Sequence, residues 1–416
     1  MSKSRSTIEY NRYSEKVEVT ASVPLIGHGN RTINEAVVNE LYQAGIKVES
    51  HNTYGGMITI ADLYHQFIHS STVRAIGYSK NSENTRNSKS AELIKLQLRI
   101  FIKTMLKRYP NAKFFLTTQN IIGEEATKVE LDGRKFSVIL VLPDAFGKLN
   151  PLKKPTDKQK RAIYLVWNEQ AFQVMKDKFD LDVHLIDLID PIKGFPQLNQ
   201  KQVEELELLE IEKRENLCLL KLSGSGGDPN LVIEIINALW KNSGIETLIF
   251  PGITHTKMNI QLRRWLKNIM KNKNTHVNYN LDEAVFYNVS RKIDHNTQLM
   301  LLNPSEQVLH SFVLSNLGKN PNIVWLPPTG NQEVLNLVHY IYIAQNQSLM
   351  TTVCIQKDFQ KSLINKLSEF NLKQNIDYQL VEPENLSREH FNKAPKWIEN
   401  QKHLNLEMAV KNIMDR

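Results

Sequence analysis

The chain has 416 residues, with 52 Lys+Arg against 44 Asp+Glu for a formal charge of +8. Hydrophobic residues make up 41% and charged residues 23%, globular values that exclude wholesale disorder and collagen-like or membrane-channel compositions. Two cysteines, Cys218 and Cys354, exclude a disulfide framework and a cysteine-based zinc module; both lie in apolar runs and read as buried reduced thiols.

At about 150 residues per domain, the length predicts two or three domains. The first sixteen residues, MSKSRSTIEYNRYSEK, are polar, so no secretory signal is expected, and no apolar run approaches a membrane span. The expected setting is cytoplasmic. KVEVTASVPL reads as a strand, followed by a glycine turn and a helix from about Thr32 to Ala44. IKVESHN, the helical ITIADLYHQFIHS and the strand VRAIGYS come next. SAELIKLQLRIFIKTMLKRY has apolar residues at spacings of three and four and reads as a long amphipathic helix. KFFLTT, FSVILVLPD, AIYLVWN and VHLIDLIDP read as further strands. From Lys201 to Asn216 six Glu stand against three basic residues, an acidic break in a basic chain that marks a linker or bridging helix. The second half repeats the grammar. LCLLKL is a strand, SGSGG a turn, and PNLVIEIINALWKN a helix. ETLIFPG, HVNYN, QLMLLN, NIVWLPP and TTVCIQ are strand candidates, with MNIQLRRWLKNIMKN a basic helix and the tail helical. Strands alternating with helices over both halves predict two parallel α/β layers.

Three loops carry candidate chemistry. In PLIGHGNRT, Gly27 and Gly29 flank His28 and precede Asn30 at a helix start, where an imidazole can act as a general base or merely decorate the turn. In KLSGSGGDPN, Ser223, Gly224, Ser225 and Gly226 offer small residues and bare amides before a helix, a plausible phosphate cradle or a simple connection. In LPPTGNQEVLN, Gln332, Glu333 and Asn336 could bind sugar or ribose hydroxyls; a turn with a polar helix start is the alternative.

In their order, these elements resemble the two-domain GT-B glycosyltransferases. The closest likenesses are the transferases that make monogalactosyl- and processive glucosyl-diacylglycerol and the peptidoglycan lipid-intermediate N-acetylglucosaminyl transferase. PLIGHGNRTINEAVVNEL resembles their glycine–histidine turn, LSGSGGDPNLVIEIINAL their donor-domain loop, and TGNQEVLN their late Gln-Glu-Asn. VLPDAFGKLNPLKKP followed by AIYLVWNEQAFQVMKDKFDLDVHLIDLIDPIKGF resembles their middle stretch. The resemblance implies two Rossmann-like domains facing a central cleft, with the C-terminal helix packing back. The expected divisions are an acceptor-side domain over 1–196, a linker over 197–212, a nucleotide-sugar-binding domain over 213–385 and a helical tail over 386–416. It implies a UDP-sugar donor, an acceptor hydroxyl deprotonated by His28 beside Gly27, Gly29 and Asn30, and inversion at the anomeric carbon. Ser223, Gly224, Ser225 and Gly226 would hold the diphosphate, and Gln332 and Glu333 the sugar, with no metal and no separate cofactor. One stretch departs: where these families carry a glycine-rich turn and a ribose-binding glutamate, this chain has Pro304 and Ser305, leaving Glu306, or His310, in that place. A helix cap by Ser305 and Glu306 is an equally good reading.

Two basic stretches, Lys148–Arg161 and Lys257–Lys273, fit either solvated faces or contact with an anionic membrane surface, with the protein peripheral at its inner face. Nucleic acid is the weaker partner, because the basic residues are scattered and no recognised motif accompanies them. The competing functions are a GT-B-shaped sugar-nucleotide epimerase, which would need extra cleft carboxylates, and a non-catalytic basic α/β binding protein.

Overall fold

The computed structural model describes residues 17–23, 28–52, 89–131, 134, 136–142, 157, 159–190, 198–222, 229–251, 267, 274–277, 283–328, 330–397 and 404–416. The first lobe is built from β1 (Val19–Val23), β2 (Val48–Asn52), β3 (Phe114–Thr117), β4 (Ser137–Leu142), β5 (Ala162–Val166) and β6 (Val183–Leu185). Their order across the sheet is β2-β1-β3-β4-β5-β6, and every pairing is parallel. A parallel sheet is covered on both faces, so its strands are apolar on both. In β4, Val138, Leu140 and Leu142 enter one apolar cluster while Ile139 and Val141 enter another on the opposite face. The described α-helices of this lobe's crossovers are α1 (His28–Gln43), α2 (Lys89–Arg108), α3 (Asn120–Ala126) and α4 (Glu169–Gln173), the last continued by a π-helical turn over Val174–Lys178. Gly123 lets α3 lie close to β4: a Cβ there would stand 2.8 Å from Leu140 Cδ1.

The bridge to the second lobe contains α5 (Gln200–Leu208), started by a reciprocal cap. Asn199 Oδ1 accepts from the Gln202 amide at 3.0 Å, and Gln202 Oε1 accepts from the Asn199 amide at 2.9 Å. The second lobe contains β7 (Leu217–Lys221), β8 (Glu246–Phe250), β9 (Thr275–Val277), β10 (Leu299–Leu302), β11 (Asn322–Trp325), β12 (Thr351–Cys354) and β13 (Tyr378–Val381). They run parallel in the order β13-β12-β11-β10-β7-β8-β9, and β14 (Asn392–Lys393) pairs antiparallel with β11. The described connecting helices are α6 (Pro229–Ser243), α7 (Glu283–Arg291), α8 (Glu306–Ser315), α9 (Asn331–Asn346) and α10 (Lys357–Ser368). Cys218 and Cys354 are buried on β7 and β12, and burial raises both thiol pKa values, which keeps them unreactive.

The tail returns to the first lobe. Leu404 adds to the sheet edge beside β6, donating its amide to the Leu185 carbonyl at 3.2 Å and accepting from the Asp187 amide at 2.9 Å. The last helix, α11 (Leu406–Met414), then buries Leu406, Ala409, Val410 and Ile413 in the cluster formed by β1 and α1. The chain is therefore a pair of α/β lobes with its C-terminal helix packed back on the first. Truncating Ile413 to alanine should cost about 2–4 kcal/mol, read as a lower urea midpoint. A loss under about 0.5 kcal/mol would show that α11 is not an integral part of the first core.

Three details differ from the sequence reading. Helix α1 begins at His28, four residues before the expected start, so His28, Gly29 and Asn30 form its first turn. That turn tolerates glycine because its amides need no helical partner. The tail is not continuously helical, since a 3₁₀ turn at Arg388–His390 and strand β14 precede α11. Tyr378–Val381 is a strand that the sequence pattern did not reveal. The expected elements ITIADLYHQFIHS and VRAIGYS lie outside the described residues, as does MNIQLRRWLKNIMKN apart from Lys267.

Candidate functional site

Among the described strands, each sheet has one point at which the winding direction reverses. In the first lobe the chain steps from β1 to β2, then crosses to β3 on the other side of β1 and continues to β6. In the second it steps from β7 through β8 to β9, then crosses to β10 on the other side of β7. At such a point the connections leave in opposite directions and open a crevice at the carboxyl ends of the two adjacent strands, where α/β proteins bind ligands. The first crevice lies between the ends of β1 and β3, the second between those of β7 and β10. Helices α1 and α8, which leave these crevices, pack against each other, so both crevices lie along the junction of the lobes.

A buried polar lattice holds the first crevice. Asn34, on α1, donates through Nδ2 to the Ser22 carbonyl at 2.8 Å and to Thr118 Oγ1 at 3.4 Å. Ser22 Oγ donates to Thr117 Oγ1 at 3.0 Å, and the same Thr117 oxygen accepts from the Gln119 amide at 3.1 Å. Asn34, Ser22 and Thr117 are each fully buried. This lattice ties α1 to the ends of β1 and β3 and fixes where the helix starts. His28, Gly29 and Asn30 therefore sit at the positive end of the helix dipole, beside the crevice.

The second crevice is lined by the end of β7 and the turn after β10. Lys221 closes β7, is 3% exposed, and holds its ammonium 5.4 Å from the centre of the Phe286 ring. The Asn303 amide donates to the Lys221 carbonyl at 3.1 Å, continuing the pairing of the two strands. Asn336 Nδ2 donates to the Pro304 carbonyl at 3.1 Å from a buried position on α9, so this side chain braces the turn. Ser305 occupies the N-cap position of α8 without a side-chain cap bond, and Glu306 is the first residue of that helix. Gln332 and Glu333 stand in the first turn of α9, and Asn303 Nδ2 reaches Glu333 Oε2 at 3.5 Å. Glu306, Gln332 and Glu333 thus occupy helix starts after the neighbouring strands β10 and β11. Gly27, Ser223, Gly224, Ser225 and Gly226 lie outside the described residues, although Ser223 follows directly on Leu222 at the end of β7. The two basic stretches also fall largely outside; within Lys148–Arg161, Lys160 Nζ stands 4.0 Å from Asp157 Oδ1.

Away from the crevices, an aromatic knot joins the lobes. Trp167, at the end of β5, meets His310 of α8 edge-on at 4.9 Å and His339 of α9 at 5.3 Å. Trp397 lies 6.4 Å from Trp167. His310 Nδ1 stands 3.2 Å from the Ile189 carbonyl, and His339 Nδ1 stands 3.3 Å from Gln170 Oε1, each bond crossing between lobes. Both acceptors are carbonyl oxygens, so in each ring the proton is assigned to Nδ1, which donates. His310 is therefore a buried strut of the interface. Burial lowers the His339 pKa to about 3.

This has a consequence for stability. The unfolded chain takes up a proton at His339 near pH 6.5, whereas the folded chain resists it until about pH 3. The stabilisation is complete above about pH 6.5 and declines as the pH falls, by about 2 kcal/mol at pH 5. The pH 7.5 to pH 5 drop in unfolding free energy should therefore shrink by about this amount in His339→Asn. An equal drop in both proteins would remove His339 as the source.

The sequence reading missed Asn34, Lys221 and the Trp167–His339 knot. Lys221 carried a readable signal, a single cation ending an otherwise apolar strand, LCLLK, just before a glycine loop. No family model matches this chain, and no curated protein matches it. Similar solved structures include a putative UDP-N-acetylglucosamine 2-epimerase from Listeria monocytogenes, at 14% identity over 96% of this chain and 95% of that one, with a TM-score of 0.47. MurG from Acinetobacter baumannii is 10% identical over 95% of this chain and 90% of its own, with a TM-score of 0.40. CalG4, the calicheamicin glycosyltransferase, is 11% identical over 85% of this chain and 90% of its own, with a TM-score of 0.49.

Proposed function

We propose that the protein is a glycosyltransferase that moves a sugar from a nucleotide donor, UDP-linked, to an acceptor hydroxyl. The observation that carries this reading is the pair of switch-point crevices along one lobe junction, one at the start of α1 and the other at the end of β7. In this reading the diphosphate sits at the second crevice, where the start of α8 and the glycine-rich segment leading to α6 supply amides and positive dipole ends. Gln332 and Glu333, at the start of α9, hold the sugar hydroxyls. His28 takes the acceptor proton as the acceptor oxygen forms its bond to the anomeric carbon. The bond from that carbon to the phosphate oxygen breaks, and its electron pair leaves on the nucleoside diphosphate. Amides aimed at the growing phosphate charge stabilise the transition state. Attack from the face opposite the leaving group inverts the anomeric centre. The basic stretches Lys148–Arg161 and Lys257–Lys273 would hold the enzyme against an anionic surface, where a lipid acceptor would be presented. Among the described residues no helix is long and apolar enough to cross a membrane.

Thermal unfolding in the presence of UDP, GDP and UDP-sugars tests the reading. A nucleotide supplied at about one hundred times its dissociation constant should add about 2.7 kcal/mol of stability. UDP and its sugars are expected to shift the transition and GDP is not. No shift with any of them would sink the proposal.

A further inference from the structure

Three separate parts of the chain meet at the edge of the second lobe that carries the amino ends of its strands. The length of β10, about 13 Å, separates this edge from the second crevice. His295 lies in the turn between α7 and β10, Lys319 in the turn between α8 and β11, and Lys393 on β14. Asn322, the first residue of β11, donates through Nδ2 to the His295 carbonyl at 3.0 Å, and Lys393 Nζ donates to the same oxygen at 2.7 Å. Lys319 Nζ donates to the Arg291 carbonyl at 3.1 Å, at the carboxyl end of α7, where a cation is favoured. Each ammonium thus spends one donor on a carbonyl and keeps others for a ligand.

The imidazole of His295 is the unexplained group in this corner. Both of its ring nitrogens are buried, and neither has a hydrogen-bond partner. A buried donor and acceptor left unmade cost free energy, so the pair calls for an ion, an ordered water or a functional role. Charge decides which ligand fits. Burial holds the His295 pKa below its usual value, and the ammoniums of Lys319 and Lys393 lower it further against the opposing pull of Asp294. The Asp294 carboxylate is already engaged: Oδ1 accepts from the Asn296 amide at 3.0 Å and Oδ2 from the Thr297 hydroxyl at 2.7 Å. A cation would be repelled here, and a neutral ligand would leave the positive charge unbalanced. An oxyanion would accept charge-assisted hydrogen bonds from both ammoniums and from the ring. Lys393 is exposed, which gives such a ligand access from solvent. We propose that His295, Lys319 and Lys393 form a binding site for a tetrahedral oxyanion, either inorganic phosphate or the phosphoryl group of a monoester, on the edge of the second lobe remote from both crevices. The assignment does not rest on the transferase reading, since it uses no residue of either crevice.

The test is a calorimetric titration of the full chain with sulfate, inorganic phosphate and glycerol 3-phosphate. Ionic strength is held constant with chloride, and UDP is present to compete at the second crevice. Sulfate and phosphate should bind with millimolar affinity, and the double variant Lys319→Gln, Lys393→Gln should weaken both at least about tenfold. Lys393→Gln alone changes an exposed side chain, so it should keep the wild-type melting temperature and still weaken binding about threefold. The control Lys357→Gln, Lys361→Gln removes the same charge from exposed positions on α10 and should leave affinity within about twofold. Bound anion favours the protonated ring, so sulfate affinity should rise as the pH falls from about 8 to about 6, and His295→Asn should abolish that rise. Glycerol 3-phosphate binding as tightly as phosphate would support the site and assign it to a monoester; binding about tenfold weaker would support it as a site for the free ion. The proposal would be overturned by no binding at about 50 mM, by undiminished affinity in Lys393→Gln, by an equal loss in the control, or by a flat pH profile.

Discussion

His28→Ala is expected to lower turnover by two to four orders of magnitude, the usual contribution of a general base, while leaving nucleotide affinity unchanged. The separation follows from the architecture. His28 starts α1 on the first sheet, whereas the donor-side candidates Glu306, Gln332 and Glu333 start α8 and α9 on the second. An alanine in the first turn of α1 keeps the helix, because alanine is a good helix former and the Asn34 lattice that anchors α1 is untouched. The pH profile gives an independent reading. An imidazole base should give the wild-type rate an acid limb, falling as the pH drops, and that limb should vanish in the variant. Retained turnover would remove His28 as the base. Loss of UDP binding together with turnover would place the histidine in the donor site instead.

The repeating strand–helix grammar was legible because each parallel strand is buried on both faces. The VILVL of β4 and the LCLL of β7 are continuously apolar and need no partner to be recognised. Tyr378–Val381 escaped notice for the opposite reason: at the sheet edge its middle residues are half-exposed, and YQLV is a short run interrupted by Gln379. The start of α1 was misplaced because Gly-His-Gly reads as a turn, although the first helical turn accommodates glycine. The switch points could not be read at all. They depend on which side of β1 and β7 the later strands add, a tertiary choice that leaves no periodicity in the chain. The polar groups that shape the site were equally silent. Asn34 looks like any helical asparagine until α1 is laid on the ends of β1 and β3. The Asn336 of TGNQEVLN, read as a possible sugar ligand, also donates through Nδ2 to the Pro304 carbonyl, a contact that no motif shows. Motif order thus pointed to the two crevices, but not to the residues that brace them.

Trp167→Ala should be the most destabilising single truncation at the lobe junction, at about 3–5 kcal/mol. The indole is 3% exposed at the end of β5, and its neighbours come from three separate parts of the chain: His310 on α8, His339 on α9, and Trp397 beyond β14. Removing it takes away the apolar burial of a large ring and leaves a void that these rings cannot close without breaking hydrogen bonds. His310 is held by the Ile189 carbonyl and His339 by Gln170, both from the first lobe. Loss of the ring should therefore act on the coupling between lobes as well as on the core. Wild-type chains are expected to unfold in urea as one transition through the shared cluster, which contains Tyr164 and Trp167 from the first lobe and Phe312 and Tyr340 from the second. In Trp167→Ala the midpoint should fall and the transition should broaden or split, whereas Trp167→Phe, which keeps an edge-on aromatic partner, should recover about half of the loss. A single sharp transition with a loss below about 1 kcal/mol would show that the lobes hold together without this residue.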